Sequence, residues 1–220
     1  MSNAADRRNR VLEGIASSAK VARREPNDVQ LIAVSKTRTA DEIEALIAAG
    51  QRDFGESRVQ EALAKWPDVR ARHPDVRLHA IGRLQSNKAD EAVALFDTVH
   101  SLDRMSLLEA LVRAADKAGR FPSLYVQVNI GEEEQKGGCA IDELSDLVAA
   151  VRASPLSLAG LMCIPPLGLE PAPFFALLAK LARRHDVTGL SMGMSGDYRE
   201  AVMLGATAVR VGTAFFEDDA

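Results

Sequence analysis

A lysine at the end of an apolar run is the first group in this chain able to do covalent chemistry. Residues 31–37 read LIAVSKT, five apolar or small residues leading into Lys36. The segment TADEIEALIAAG then follows with helical spacing and a cap at Thr39. This is the pattern of a buried strand that delivers its lysine to the C-terminal mouth of a barrel or sheet, where α/β proteins bind ligands. An amine placed there can condense with an aldehyde to form an imine. The plainer alternative is a solvated lysine closing a strand. Near the other end of the chain, residues 209–213 read VRVGT. Side chains alternate along a strand, so Arg210 shares a face with Gly212, opposite Val209 and Val211. With the two valines under the outer helices, Arg210 turns inward or toward the mouth, where a buried cation needs an anion or a polar ring atom. Gly212 lets the backbone approach a ligand closely. Thr213 offers a hydroxyl and an N–H to a phosphate, with a short helix behind it.

A second anion-binding segment precedes this one. The run SMGMSGD places Ser195 and Gly196 at the start of a helix, although Ser-Gly-Asp is also an ordinary helix start. Barrels commonly hold phosphate in the loops after strands seven and eight. A lysine nucleophile and a phosphate cradle on one rim together suggest pyridoxal 5′-phosphate. Imine formation needs a neutral amine, and a partly buried lysine beside Arg210 favours that form. If Arg210 faces the pyridine nitrogen, that nitrogen stays unprotonated. The ring is then a poor electron sink, which suits simple carriage or racemisation.

Several other residues are candidates for lining the pocket. Asn129, at the end of an apolar strand, is placed to touch the ring or the lysine. Ser57 lies in a turn, Gly55-Glu56-Ser57, that could reach the rim or simply start a helix. His79 and His100 sit within strands, as core or pocket-lining groups. Met162, Met192 and Met194 read as barrel packing, with Met162 close enough to the site to line it. The charged loop GEEEQK reads as a solvated segment.

The elements that position these residues alternate along the chain. Residues 4–24 form an amphipathic helix, with Val11, Leu12, Ile15, Ala19 and Ala22 at helical spacing and Pro26 closing it. Strands are expected from Leu31, then at 52–55, 78–82, 98–102, 123–130, 158–164, 189–193 and 207–212. The intervening helices are expected at 56–66, 87–96, 103–118 with Asp103 as N-cap, 141–152, and from Pro171–Pro173 to Arg184. Eight strand–helix steps with no break in composition argue for a single (β/α)8 TIM-type barrel with an extra N-terminal helix, one domain over residues 1–220. An open doubly wound sheet is the alternative, but no G-x-G-x-x-G follows the first strand.

Composition narrows the functional classes. The chain has 220 residues, 47% of them hydrophobic, enough for a sizeable core. A net charge of −4 and a single tryptophan, Trp66, give no pull toward nucleic acid and no base-stacking platform. Cys139 and Cys163 lack metal-ligand spacing, so no metal is expected and reduced cytoplasmic thiols are. No signal peptide or membrane span is expected.

Ordered motifs across residues 31–216 resemble the pyridoxal phosphate homeostasis protein family. They are AVSKT (33–37), GQRDFGES with VQEAL (50–63), HAIGRLQSNK (79–88) and VHSLDR (99–104), continuing with QVNIGEEEQKGG (127–138), GLMCIPP (160–166), LSMGMSGDY (190–198) and VRVGTAFF (209–216). The resemblance implies a monomeric barrel like the N-terminal domain of alanine racemase. It puts the cofactor lysine at Lys36, the phosphate-binding positions at Ser195, Gly212 and Thr213, and the arginine beside the ring nitrogen at Arg210. It implies a protein that holds pyridoxal phosphate, hands it on to apoenzymes that depend on it, and balances vitamin B6 and amino-acid pools, with no established turnover. The chain departs from the family pattern at Ser57, Arg58, Leu78, Gly196 and Glu217. An amino-acid racemase on the same barrel is the enzymatic alternative, and it needs a second domain that this chain is expected to lack. A phosphate-binding barrel without pyridoxal is a third reading.

Overall fold

Short runs rich in Val, Ile, Leu and Ala, each followed by an amphipathic helix, can bury both faces in a closed parallel barrel ringed by those helices. The computed structural model describes residues 3–216 and shows that outcome. Its strands are β1 (Gln30–Val34), β2 (Asp53–Glu56), β3 (Arg77–Ala80), β4 (Thr98–Leu102), β5 (Ser123–Gln127), β6 (Leu158–Met162), β7 (Leu190–Ser191) and β8 (Ala208–Val211). They form a closed, wholly parallel barrel in sequence order, with β1 paired to β8. In that pairing Ile32 lies opposite Arg210 and Ala33 opposite Val211, which brings the two ends of the chain to one edge of the mouth.

The helices are α1 (Ala4–Val21), α2 (Ala40–Ala48), α3 (Val59–Arg72), α4 (Ala89–Leu95), α5 (Met105–Ala118), α6 (Leu144–Ala153), α7 (Ala172–Arg184), α8 (Tyr198–Met203) and α9 (Thr213–Phe216). Outward strand residues such as Val99, Val126, Val209 and Val211 join the inner faces of these helices in the main core. Ile32, Tyr125, Met162 and Ala208 are buried but stand apart from that cluster, toward the barrel interior. Among the described residues, no helix is long and apolar enough to cross a membrane, and no group of His, Cys, Asp and Glu could hold a metal ion.

The N-terminal helix packs on the flank of the barrel against α8 and α9. Gly14 makes this docking possible, since a Cβ there would lie 2.2 Å from the Tyr198 hydroxyl. Helix α1 therefore backs the loops after β7 and β8. Its start is fixed by a capping box between Asn3 and Asp6.

Three of the boundaries that differ from the sequence-based expectation do so for physical reasons. Helix α3 does not stop at Trp66 but continues through Pro67 to Arg72. Trp66 and Val69 are both fully buried, and their packing carries the turn that proline weakens. Asp103 is not the cap of α5: Arg104 takes the N-cap position without a side-chain cap bond, and Asp103 pairs with the Arg104 guanidinium. Strand β5 ends at Gln127, and Val128 forms an isolated bridge with Cys139.

Candidate cofactor site at the C-terminal rim

Lys36 follows β1 by two residues, in a turn where Thr37 takes φ 63°. Its side chain is exposed, and its amine makes no hydrogen bond or ion pair with the described residues. The expected partial burial of Lys36 is therefore corrected: two residues past the end of β1, the lysine stands clear of the sheet in solvent. The turn itself is held from below. Lys65 Nζ donates to the carbonyls of Ser35 (2.9 Å) and Arg38 (3.4 Å). Glu56 Oε1 accepts from Ser35 Oγ at 2.7 Å and Trp66 Nε1 at 2.9 Å, and pairs with Lys65 Nζ at 2.7 Å. These four groups fix where the backbone releases Lys36.

Arg210, on the interior face of β8 as alternation predicts, is 4% exposed. Its Nη1 donates to Ser191 Oγ at 2.6 Å and its Nη2 to the Cys163 carbonyl at 3.0 Å. Among the described residues no carboxylate pairs with it. Burial pulls this guanidinium below the usual arginine range, while Cys163, Asp197 and Tyr125 push it back up. A buried cation with unused N–H groups and no counter-ion is costly on its own, and it suits a polar ring atom that accepts one of those hydrogens. The Cys163 thiol, also buried, is pushed up to about 12.

The two expected anion loops do meet. The Gly212 N–H donates to Ser195 Oγ at 3.0 Å, joining the turn after β7 to the end of β8. That bond occupies the Gly212 amide and leaves the Ser195 hydroxyl proton to donate elsewhere. Thr213 and Gly196 are exposed. A Cβ at Gly196 would meet nothing within 4 Å, and one at Gly212 would meet Val34 at 3.5 Å, an ordinary contact. Neither glycine is demanded by the protein's own packing, so the room beside them is open to a ligand. Helices α8 and α9 span six and four residues, too short for their dipoles to carry anion binding. Hydroxyls and nearby cations are better placed to do so. Arg7, Arg10 and Arg199 line a hollow of about 300 Å³ shared with Ser195 and Gly196. The Arg38 guanidinium lies 4.6 Å over the Phe216 ring, which ties the Lys36 turn to the end of α9.

The remaining candidates separate. Asn129 is half-buried, and its amide is spent on its own loop, donating to the Glu133 carbonyl at 3.0 Å and accepting from the Glu133 N–H at 3.2 Å. Met162 is fully buried and registers with Gln127 and Ser191 across β5–β7. Ser57 lines a cleft of about 800 Å³ with Arg58, Arg83, Lys88 and Arg104, and none of the other proposed site residues borders it. His79 is 2% exposed and lies within the barrel, bonded to His100 and Asp53. The sequence reading did not single out Ser35, Lys65 or Ser191 and assigned no site role to Trp66. A small hydroxyl before Lys36 and a lysine one helical turn from Glu61 carry no local signal, because their partners come from other strands.

An eight-stranded parallel barrel with a rim lysine, a buried inward arginine and hydroxyl-bearing loops after β7 and β8 defines the barrel class of the alanine racemase N-terminal domain. The family model for that domain matches residues 12–219. Pyridoxal phosphate homeostasis proteins from Synechocystis sp. and Pseudomonas aeruginosa are 43% and 41% identical to this chain, covering 88% and 98% of it and 93% and 96% of their own lengths. The chain belongs to the pyridoxal phosphate homeostasis protein family. Among solved structures, PipY of Synechococcus elongatus with pyridoxal phosphate bound is 42% identical, with a TM-score of 0.79 over 92% of this chain and 99% of that one. Alanine racemase from Corynebacterium glutamicum shares the fold at 19% identity, with a TM-score of 0.63 over 93% of this chain and 61% of that one.

Proposed function

We propose that this protein binds pyridoxal 5′-phosphate at the C-terminal rim, holds it covalently through Lys36 and releases it to apoenzymes that need it. The observation that carries this reading is Arg210, a buried cation with donors left over and no carboxylate paired with it among the described residues. The pyridine nitrogen of the cofactor is an acceptor of the right kind. Lys36 supplies the amine that condenses with the aldehyde, releasing water, and its freedom in the turn lets it reach and let go. Ser195 and Thr213 donate to the phosphate, Gly196 and Gly212 leave room for it, and the arginines behind Ser195 add positive potential. Met162 and His79 lie beneath the ring, with Ser57 farther along the rim; Asn129 reaches the ring only by giving up its loop. The cofactor bound in PipY and the names of the relatives support the reading.

Carriage rather than turnover is the proposed role. An arginine facing the ring nitrogen keeps that nitrogen unprotonated and weakens carbanion stabilisation. A two-base racemase needs a second group at the mouth. The Tyr198 hydroxyl is turned onto Gly14 and accepts from Arg199 Nε at 3.3 Å. We place the protein in the cytoplasm as a monomer. The test is to add pyridoxal phosphate to purified protein, record near-visible absorbance, reduce with borohydride and map the modified peptide. The reading expects one adduct, on Lys36. No absorbance change, or an adduct elsewhere, overturns it. An assay for α-hydrogen exchange in amino acids separates carriage from racemisation.

A further inference from the structure

Beneath Arg210 the barrel interior is not apolar. Arg210 Nη1 donates to Ser191 Oγ at 2.6 Å, Ser191 Oγ lies 2.8 Å from His100 Nδ1, His100 Nε2 lies 3.0 Å from His79 Nδ1, and His79 Nε2 lies 3.1 Å from Asp53 Oδ1. Asp53 opens β2, Gln30 opens β1 and Arg77 opens β3, so this end lies at the N-terminal face of the barrel. There the carboxylate also accepts from Gln30 Nε2 at 2.8 Å and Arg77 Nη2 at 2.8 Å. Asp53 borders a cleft of about 650 Å³ lined also by Arg8, Gln30, Gln51 and Thr207. One unbroken line of polar groups therefore crosses the barrel, from the proposed cofactor mouth to a cleft on the opposite face.

The chemistry of the two ends fixes the direction of every bond between them. A guanidinium only donates and an ionised carboxylate only accepts. Starting from Asp53, His79 must carry its proton on Nε2, which leaves Nδ1 bare. His100 must then present Nε2–H to His79, which leaves its own Nδ1 bare for the Ser191 hydroxyl. Ser191 in turn has its oxygen free for Arg210. Every donor meets one acceptor, with both imidazoles neutral and in the same tautomer. An extra proton on His79 would reverse the line as far as Ser191, whose oxygen would then accept from both His100 and Arg210 while its hydroxyl proton lost its acceptor within the line. Burial of His100, helped by the nearby Arg210 cation, holds its pKa well below the ordinary imidazole range and favours the neutral arrangement. Stacking of His100 on Tyr125, with centroids 4.4 Å apart, fixes the ring plane.

We propose that Ser191, His100, His79 and Asp53 are positioning residues that act as one relay of fixed polarity, through which a carboxylate at the far face of the barrel holds Arg210 as a donor toward the cofactor ring. The proposal rests on the reading above only for what Arg210 faces; the relay itself belongs to the chain alone. Removing the Asp53 acceptor frees the His79 tautomer, then that of His100, and loosens the Ser191 hydroxyl from its role as acceptor for Arg210.

Long-range ¹⁵N–¹H spectra of the full chain, without cofactor at neutral pH, read this directly. Histidine→glutamine variants assign the His79 and His100 rings. Both imidazoles are expected neutral with the proton on Nε2, and a proton on Nδ1 of either ring overturns the relay whether or not the protein binds pyridoxal phosphate. In Asp53→Ala both rings should become tautomer mixtures, and cofactor retention should weaken about three- to tenfold, the scale of one hydrogen bond. Unchanged His100 signals in that variant refute the coupling. Should Asp53→Ala fail to fold, Ser191→Ala cuts the line at its other end. It must move the His100 resonances and, through them, those of His79; unmoved His79 signals refute the relay.

Discussion

Replacing Lys36 with alanine separates covalent chemistry from folding. The lysine side chain is exposed and its amine has no partner among the described residues, so removing it breaks no hydrogen bond or ion pair. The turn keeps its supports. The Thr37 hydroxyl still donates to the residue 36 carbonyl at 2.6 Å, Lys65 still holds the Ser35 carbonyl, and the Thr39–Glu42 capping box still starts α2. A surface change of this kind falls within about 0.5 kcal/mol. For a chain of this size that is a shift in Tm of about 2 °C or less. The covalent adduct, by contrast, should vanish completely. The variant should still bind pyridoxal phosphate reversibly, because Arg210, Ser195 and Thr213 are untouched. The assay has three readings: circular dichroism with a thermal melt, mass after borohydride reduction, and equilibrium dialysis of the cofactor. Wild type should gain one reduced cofactor and the variant none. An adduct that persists at Lys65 or Lys136 would refute the assignment of the amine. A melt lowered by many degrees would refute the claim that Lys36 stands clear of the core.

Ser195→Ala with Thr213→Val should weaken reversible cofactor binding by roughly 1.5–3 kcal/mol for each charge-assisted bond lost, read by dialysis; unchanged affinity would put the phosphate elsewhere. Lys65→Met should destabilise the fold by about 3 kcal/mol in urea denaturation, because it leaves the Glu56 carboxylate buried without its cation; the figure is at the low end for a broken buried pair since Lys65 retains 13% side-chain exposure. Stability should also fall in acid. His100 is held neutral in the folded state and takes up a proton when unfolded, so its contribution is full above about pH 6.5 and is lost below it, at up to about 1.4 kcal/mol per pH unit. Asp53 adds to the loss at lower pH. Burial works to raise its pKa, but the hydrogen bonds from His79 and Arg77, with the Arg77 charge, outweigh that and lower it. Melts of His100→Gln between pH 5 and 7.5 should show a flatter pH dependence than wild type; parallel curves would count against a buried neutral His100.

The sequence by itself determined the order of elements and the ends of the barrel that matter. Strand runs leading into Lys36, Ser195 and Thr213 are local patterns, and alternation at Val209-Arg210-Val211 told which way the arginine points, because a pleated strand leaves no other choice once the valines are buried. The family motifs carried the same positions. Only the tertiary structure decided what each group meets. Lys36 was expected to be partly buried, and it stands exposed beyond the end of β1; no periodicity reports how far a rim side chain clears the sheet. Asn129 looked free to touch a ligand, yet its amide closes its own loop. Ser195 and Gly212 lie 17 positions apart and share a hydrogen bond because β7 and β8 are neighbours in a closed sheet. The line from Asp53 to Arg210 draws on β2, β3, β4, β7 and β8, and its polarity is set by two charges at opposite faces. A histidine inside a strand reads the same in sequence whether it packs or relays. Closure of the barrel is what turns such residues inward onto one another.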